Sequence, residues 1–115
     1  SFSRAVEIAE PGLRRVLISG TASIAPEGHS MYIGDVDAQV ALTMEVAGAI
    51  LESRGMTWED TTRAIVYFKN AGDISAFGAY CAENDIYPFP AVPVHNDVCR
   101  DDLLFEIELD ALAAE

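Results

Sequence analysis

Residues 97–112 read DVCRDDLLFEIELDAL, and this stretch decides the fold. After a polar turn, apolar and acidic residues alternate, which is typical of a strand whose successive side chains point to opposite faces of a sheet. One face carries Leu103, Phe105, Ile107, Leu109 and Ala111, and the other carries chiefly Glu106, Glu108 and Asp110. The pattern predicts a strand over residues 103–112 with one face in the core. It leaves open whether Glu106 is solvated or forms the floor of a site.

The rest of the chain supplies a long helix and four further strands. Strands are predicted over residues 4–9, 14–18, 62–69 and 92–98, and a turn at residues 10–12 joins the first two into a hairpin. Pro93 has no backbone N–H, so its strand is expected at an edge or a bulge. The helix, residues 35–54, begins at the capping residue Asp35 and is terminated by Gly55. Its apolar stripe is Val36, Val40, Met44, Ala47 and Leu51.

A second helix is predicted from residue 73 to about residue 83, with Ile74, Phe77, Gly78 and Cys81 as its buried stripe. The order of two strands, helix, strand, helix and two strands predicts an α+β fold, a mixed β-sheet with two helices packed on one face. A chain of 115 residues has the length of a single domain. Because the helices leave the other sheet face uncovered, we expect an oligomer.

Charge and composition argue against several classes of function. The chain has 19 acidic and 7 basic residues, a formal net charge of −12, and its bases are scattered, which disfavours nucleic acid as a partner. No apolar run is long enough to cross a bilayer, so no membrane partner is expected. The spacing of the two cysteines matches no metal or redox motif, and we expect no metal and no cofactor. A reduced, cytoplasmic protein is the simplest interpretation.

Six short segments stand in an order that a known family shares. They are residues 18–20 (ISG), 35–39 (DVDAQ), 58–60 (WED), 64–68 (AIVYF), 89–91 (FPA) and 104–108 (LFEIE). Together they resemble the YjgF/RidA-like (Rid) family, also called the endoribonuclease L-PSP family, over nearly the whole chain. The resemblance implies a homotrimer with three clefts between subunits, each of which takes a small-molecule substrate or ligand.

The same resemblance implies roles for single residues. Glu106 matches the carboxylate that holds the attacking water in Rid deaminases. After the segment matched by residues 89–91, those deaminases carry an arginine, whereas this chain has Val92. They also often carry an asparagine at the position of Gly78 in this chain. The bidentate grip that arginine gives a substrate carboxylate is therefore missing at that position, which argues against ordinary 2-imino-acid deamination.

A second resemblance concerns residues 97–100, which precede Leu103 and Leu104. This segment is similar to the C-terminal part of chorismatases, larger Rid-like proteins that hydrolyse the enolpyruvyl ether of chorismate. Some chorismatases have a cysteine seven residues before the catalytic glutamate, as Cys99 stands before Glu106 here. The two resemblances together make Glu106 and Cys99 the candidate catalytic residues.

Each candidate has an ordinary structural alternative. Glu106 is either the acid or base of a cleft or a solvated carboxylate, and Cys99 is either a site residue or a small core side chain. In an extended strand His95, Asp97 and Cys99 share a face, and they would meet Glu106 in one cleft if the last two strands pair. Arg100 either replaces the missing arginine or only offsets neighbouring acids. The candidate substrate-binding residues are Arg100, Gly20, Phe89, Tyr87, Val92 and His95.

Three functions are compatible with these residues. The first is a hydrolytic enzyme acting on a small carboxylated metabolite, by imine or enamine deamination or by hydrolysis of an enol ether, with Glu106 as acid or base. The second is a non-catalytic trimer that binds a small molecule or regulates through it, which the missing arginine favours. The third is an endoribonuclease, which the net charge of −12 disfavours.

Overall fold

The computed structural model describes residues 5–25, 28–86, 88–96 and 102–114. Five strands form one sheet: β1 (Ala5–Glu10), β2 (Leu13–Thr21), β3 (Thr61–Phe68), β4 (Ala91–His95) and β5 (Phe105–Ala114). Two helices accompany the sheet, α1 (Val36–Ser53) and α2 (Ile74–Glu83), with short 3₁₀ turns at Trp58–Asp60 and Ala71–Asp73. The predicted α+β fold, a mixed sheet with two helices, is confirmed.

The sheet has the strand order β1-β2-β5-β3-β4, so β5 lies at its centre. β5 is antiparallel to both β2 and β3, and the predicted hairpin of β1 and β2 is confirmed. β4 runs parallel to β3 and occupies an edge of the sheet, as Pro93 required. The last two strands therefore do not pair with each other, because β3 lies between them.

The core lies between the sheet and α1, on what we call the helix face of the sheet. The five alternating apolar side chains of residues 103–111 are buried on this face: Leu103, Phe105, Ile107, Leu109 and Ala111. They meet the buried stripe of α1, which includes Val40, Met44 and Leu51. Burial of a side chain of this size stabilises the fold by about 1.5–3 kcal/mol, so this layer is its main support.

The end of α1 follows the predicted glycine termination. Gly55 has a φ of +71°, its N–H donates to the Glu52 carbonyl at 2.9 Å, and the N–H of Met56 donates to the Leu51 carbonyl at 2.9 Å. This pair of bonds is the Schellman arrangement, which satisfies carbonyls that the helix leaves open. Leu51 and Met56 are both in the core, so the cap also directs the chain toward β3.

The predicted buried stripe of α2 is wrong in part. Ile74 and Gly78 are exposed, whereas Phe77 and Cys81 pack against the core together with Ala76 and Tyr80. The reason is that α2 packs on α1 and also reaches β5 through the contact of Phe77 with Phe105, so two neighbours and not one face select its inward side. No helix among the described residues combines the length and apolarity that a membrane crossing needs.

Candidate functional site

Glu106 lies on the sheet face turned away from the helices, which we call the open face. Its neighbours Phe105 and Ile107 are buried on the helix face, so alternation turns the Glu106 side chain the other way. On β3 its direct cross-strand partner is Tyr67, and Glu106 itself is half-buried. The open face therefore presents a carboxylate near the middle of the sheet rather than at its margin.

Gly20 lies against the carboxyl group of Glu106. The pairing of β2 with β5 shifts register between Ile18 and Thr21, a bulge that contains Ser19 and Gly20. A Cβ atom added at Gly20 would be 2.9 Å from Cδ of Glu106, and 3.0 and 3.1 Å from its two oxygens. A Cβ atom this close would require the Glu106 side chain to move, so the glycine lets the carboxyl group lie where it does beside the backbone. The structure thus brings together two residues that were predicted separately.

A hydrogen-bonded network continues along the open face beside Glu106. The Tyr67 hydroxyl donates to Oε1 of Glu108, and Nε of Arg63 lies 3.1 Å from Oδ2 of Asp110. Nη2 of Arg63 is 3.8 Å from Oε2 of Glu108, which links the two pairs. Sequence reasoning missed Tyr67 and Arg63 as site residues. The signal was present, since the core positions 64, 66 and 68 of the predicted strand leave 63, 65 and 67 on the other face.

The Tyr67 phenol is held in its protonated form. Its hydrogen bond to Glu108 is the main cause that raises the pKa of Tyr67 above the ordinary 10.0, followed by burial and by the charges of Glu108 and Glu106, while Arg63 acts in the opposite direction. At neutral pH the phenol is therefore a fixed donor, and its ring forms part of the surface next to Glu106.

Tyr67→Phe gives a pH-dependent expectation for stability. Because the pKa is raised in the folded protein, the contribution of the Tyr67–Glu108 bond is complete below about pH 10 and is lost as the pH rises through the folded value. Wild type should exceed the variant by about 1 kcal/mol in free energy of unfolding at pH 7–9, and the difference should vanish at higher pH. Urea titrations of both proteins from pH 7 to 11 measure this. Burial also raises the pKa of Tyr80, but Tyr80 is present in both proteins, so its contribution to the pH dependence cancels in the difference. A difference that grows above pH 10 would contradict it.

Val92 also lies on the open face. It pairs with Ile65 of β3 and is 60% exposed, and Val94 pairs with Tyr67 on the same face. These side chains give the surface beside Tyr67 and Glu106 an apolar flank. The position that carries an arginine in the resembling deaminases is thus filled by an exposed apolar side chain.

His95 and Phe89 lie on the opposite side of the sheet from Glu106. His95 pairs with Phe68, a core residue of the helix face, and its Nε2 is 3.0 Å from the Lys69 carbonyl. His95 and Glu106 would share a cleft only if the last two strands paired, and in the structure β3 lies between those strands. Phe89 stacks on Trp58 with ring centroids 5.2 Å apart and meets Phe77 edge-on at 6.1 Å. Within one subunit neither residue reaches the open face.

An apolar groove of about 390 Å³ lies beside this aromatic cluster. Its lining includes Phe77, Cys81, Ile86 and Phe89. Burial raises the pKa of the Cys81 thiol, so the thiol stays protonated and is a weak nucleophile there. Among its described lining residues the groove therefore offers apolar contact on the helix face, with the protonated Cys81 thiol as its one titratable group.

Three predicted site residues, Cys99, Arg100 and Tyr87, lie outside the described residues, as does Asp97. Among the ranges that are described, no three His, Cys, Asp or Glu side chains are grouped to hold a metal ion. The site that can be specified therefore consists of Gly20, Tyr67, Val92 and Glu106, with the Glu108–Arg63 pair at its margin.

No protein-family model matches the chain. A chorismatase of Streptomyces rapamycinicus is 33% identical over 119 residues, which cover 93% of this chain and 35% of that protein. A 3-hydroxybenzoate synthase of Streptomyces hygroscopicus is 33% identical over 104 residues, 82% of this chain and 30% of that protein. The chain thus spans about a third of the length of the curated relatives it matches.

Solved structures share the fold. RidA from the Antarctic bacterium Psychrobacter superposes with a TM-score of 0.81 at 23% identity, over 98% of this chain and 89% of that one. A chorismatase crystal structure gives a TM-score of 0.79 at 24% identity, over 96% of this chain and 36% of that one. These comparisons confirm the resemblance to RidA-like proteins and to chorismatases that the sequence segments indicated.

Proposed function

We propose a function from the premise that this chain is a RidA-like protein close to chorismatase-type members. It is an enzyme that acts on a small carboxylated metabolite by a hydrolytic reaction, in which Glu106 handles the proton or the attacking water. Relatives named chorismatase and 3-hydroxybenzoate synthase support a small-metabolite hydrolase- or lyase-like function. Cys99, seven residues before Glu106, is proposed to line the same site.

The observation that carries this proposal is the contact between Gly20 and the Glu106 carboxyl group. A Cβ atom at residue 20 would come within 2.9 Å of this carboxyl group, so the glycine gives the half-buried carboxylate its present place beside the bulge. The bulge exposes backbone beside the carboxylate in place of a side chain. Backbone N–H groups and a carboxylate on one surface are suited to holding a water or a ligand oxygen.

For an enol ether the reaction has a defined proton balance. Protonated Glu106 donates its proton to the terminal carbon of the double bond, water adds to the neighbouring carbon that bears the ether oxygen, and one proton of that water returns to the Glu106 carboxylate. The resulting hemiketal breaks into a ketone and an alcohol, and its hydroxyl proton is recovered by the leaving oxygen through the carboxyl group. Glu106 thus serves first as acid and then as relay, a dual use that suits a half-buried carboxyl group.

For an imine the same carboxylate orients water toward the carbon, and ammonia leaves. This second reaction fits less well, because Val92 stands where the deaminases have an arginine and offers apolar contact in place of a bidentate grip. Arg100 is the candidate for a substitute grip. We therefore favour hydrolysis of an enol ether or related bond over ordinary imino-acid deamination.

A homotrimer is part of the proposal, and the open face supports it. Exposed apolar side chains project from this face on three of its strands: Val6 (52%), Ile8 (39%), Leu13 (40%) and Val92 (60%). These side chains expose more apolar surface on one face than isolated apolar residues would, and such a face suits burial against other copies of the chain. In a trimer the open faces meet, and Glu106 comes to lie in a cleft between subunits.

A binding module with the same clefts and no chemistry is the alternative, and the apolar side chain at Val92 favours it. An endoribonuclease activity is less favoured, because the net charge of −12 opposes an approach of RNA. Cleavage of RNA at moderate salt that Glu106→Gln removes would overturn that ranking.

A screen of stated substrates tests the proposal. Purified protein is incubated with chorismate, with other enolpyruvyl ethers and with freshly generated 2-imino acids, and products are identified by mass spectrometry. Thermal shift with the same compounds detects binding, and native mass spectrometry gives the oligomeric state. We expect conversion of an enol ether by a trimer. Binding without conversion would favour the module, and a monomer that neither binds nor converts any of them would contradict both.

A further inference from the structure

We propose that Gln39 is a positioning residue for Glu106, an inference that rests on the proposed function of that carboxylate. Gln39 lies in the first turn of α1, on the helix face, and does not touch the open face. Its side chain is 0% exposed, and it was absent from the predicted apolar stripe of the helix. A buried primary amide is uncommon in a helix stripe and needs its polar atoms satisfied.

The amide of Gln39 binds main-chain groups on two separate segments. Nε2 donates to the Tyr32 carbonyl at 3.2 Å and to the Asp102 carbonyl at 2.9 Å, and Oε1 accepts from the Leu104 N–H at 2.8 Å. Both N–H bonds of the amide and one oxygen lone pair are therefore in use. The Ser30 hydroxyl adds a second tie between the same segments, since it donates to Oδ1 of Asp102 at 2.8 Å.

These two segments are the ones that flank the site. The segment with Ser30 and Tyr32 lies in the connection between β2 and α1, ten to twelve residues after Gly20, and the segment with Asp102 and Leu104 leads into β5 just before Glu106. Leu104 is fixed from both sides, because its carbonyl accepts from the Lys69 N–H at 3.1 Å while its own N–H is held by Gln39. One side chain thus ties the connection between β2 and α1 to the chain arriving at Glu106.

The tolerance at the site is small enough for this tie to matter. The Glu106 carboxyl group lies so close to the Gly20 backbone that a Cβ atom added there would be 2.9 Å from its Cδ, so the position of β5 sets the distance between that carboxyl group and the bulge. A shift of the Leu104 peptide passes to Glu106 because only Phe105 separates them in the chain. We infer that Gln39 determines where the Glu106 carboxyl stands relative to the Gly20 backbone.

Gln39→Met tests the inference, because methionine keeps the length of the side chain and removes all three hydrogen bonds. The matched control is Thr43→Val, one turn further along the same buried stripe, where the hydroxyl has no hydrogen-bond partner among the described residues. The readouts are the titration midpoints of the Glu106 and Glu108 carboxyl carbons by ¹³C NMR, and the pH profile of turnover with the substrate that the screen identifies. A purely structural role would change neither readout.

For Gln39→Met we expect the Glu106 midpoint and the pH profile to move, the Glu108 midpoint to stay, and turnover to fall by about 10- to 100-fold. Thr43→Val should leave all of them unchanged. Loss of thermal stability with an unmoved Glu106 midpoint would overturn the inference. Should Gln39→Met not fold, Ser30→Ala removes only the outer tie, and a shift of the Glu106 midpoint from its wild-type value is then the supporting result and its absence the refuting one. The NMR readout needs no substrate, so failure of the proposed activity is distinguishable from failure of this inference.

Discussion

Glu106→Gln is expected to lower turnover by about 10²- to 10⁴-fold while the oligomeric state and the thermal unfolding midpoint stay close to wild type. Glutamine has the shape of the carboxylate and fits the same space beside Gly20, but it can neither hold a transferable proton nor act as a base. The loss should fall on kcat more than on KM, because the carboxyl group is proposed to act on the reacting atoms in the transition state. Steady-state kinetics with the substrate identified by the screen measure both constants.

Two variants of the same chemical type make the test specific. Glu52→Gln removes one negative charge from the exposed side of α1, far from the open face, and should have no effect on turnover. Glu108→Gln changes the next carboxylate along the same face, which is bound to Tyr67 and paired with Arg63. If Glu108→Gln removed turnover and Glu106→Gln did not, the proton-handling role would belong to Glu108, and the proposed mechanism would be wrong.

The alternation in residues 103–112 predicted the centre of the fold because its two faces are so different in polarity. A one-residue slip would bury Glu106, Glu108 and Asp110 and expose Phe105, so the register has no competitor. The end of α1 was equally determined, since Gly55 is the residue that accepts the left-handed backbone there. In both places a local pattern and the tertiary structure demand the same arrangement.

Pairing between strands was less accessible from the sequence. The sequence left open whether residues 92–98 pair with the last strand, and in the structure β4 pairs with β3 in parallel. The signal was the order strand, helix, strand around α2, which is the usual connection between parallel neighbours. This pairing separates His95 from Glu106, since its partner Phe68 assigns His95 to the helix face.

The polar contacts of the site were the least predictable part. The Ala-Gln pair at the start of α1 carried a family resemblance, but nothing in the sequence says that the Gln39 amide reaches Asp102 and Leu104 across the fold. Likewise Tyr67 became a site residue only when the β3–β5 register set it opposite Glu106. Contacts of this kind depend on sheet order, so they follow from the tertiary structure and not from any local pattern.

Gly20→Ala is the second large effect we expect, a loss of turnover of about 10²-fold in a protein that still folds. The added Cβ would lie 2.9 Å from Cδ of Glu106, which is closer than real contacts allow, and its nearest neighbours are the atoms of that carboxyl group. The Glu106 side chain must therefore rotate or the bulge must shift, and both move the carboxyl group away from the backbone it faces. A movement of about 1 Å at a reacting group is enough for a loss of this size.

The control is Gly78→Ala, because a Cβ at that position on α2 meets nothing within 4 Å. Alanine is the better helix former, so this control should retain turnover and gain up to about 1 kcal/mol in stability. A crystal structure of Gly20→Ala should show a displaced Glu106 carboxyl group, which connects the kinetic loss to its geometric cause. Wild-type kcat in a Gly20→Ala protein whose Glu106 carboxyl group is displaced would contradict this prediction. The contact between that carboxyl group and the bulge would then have no part in catalysis.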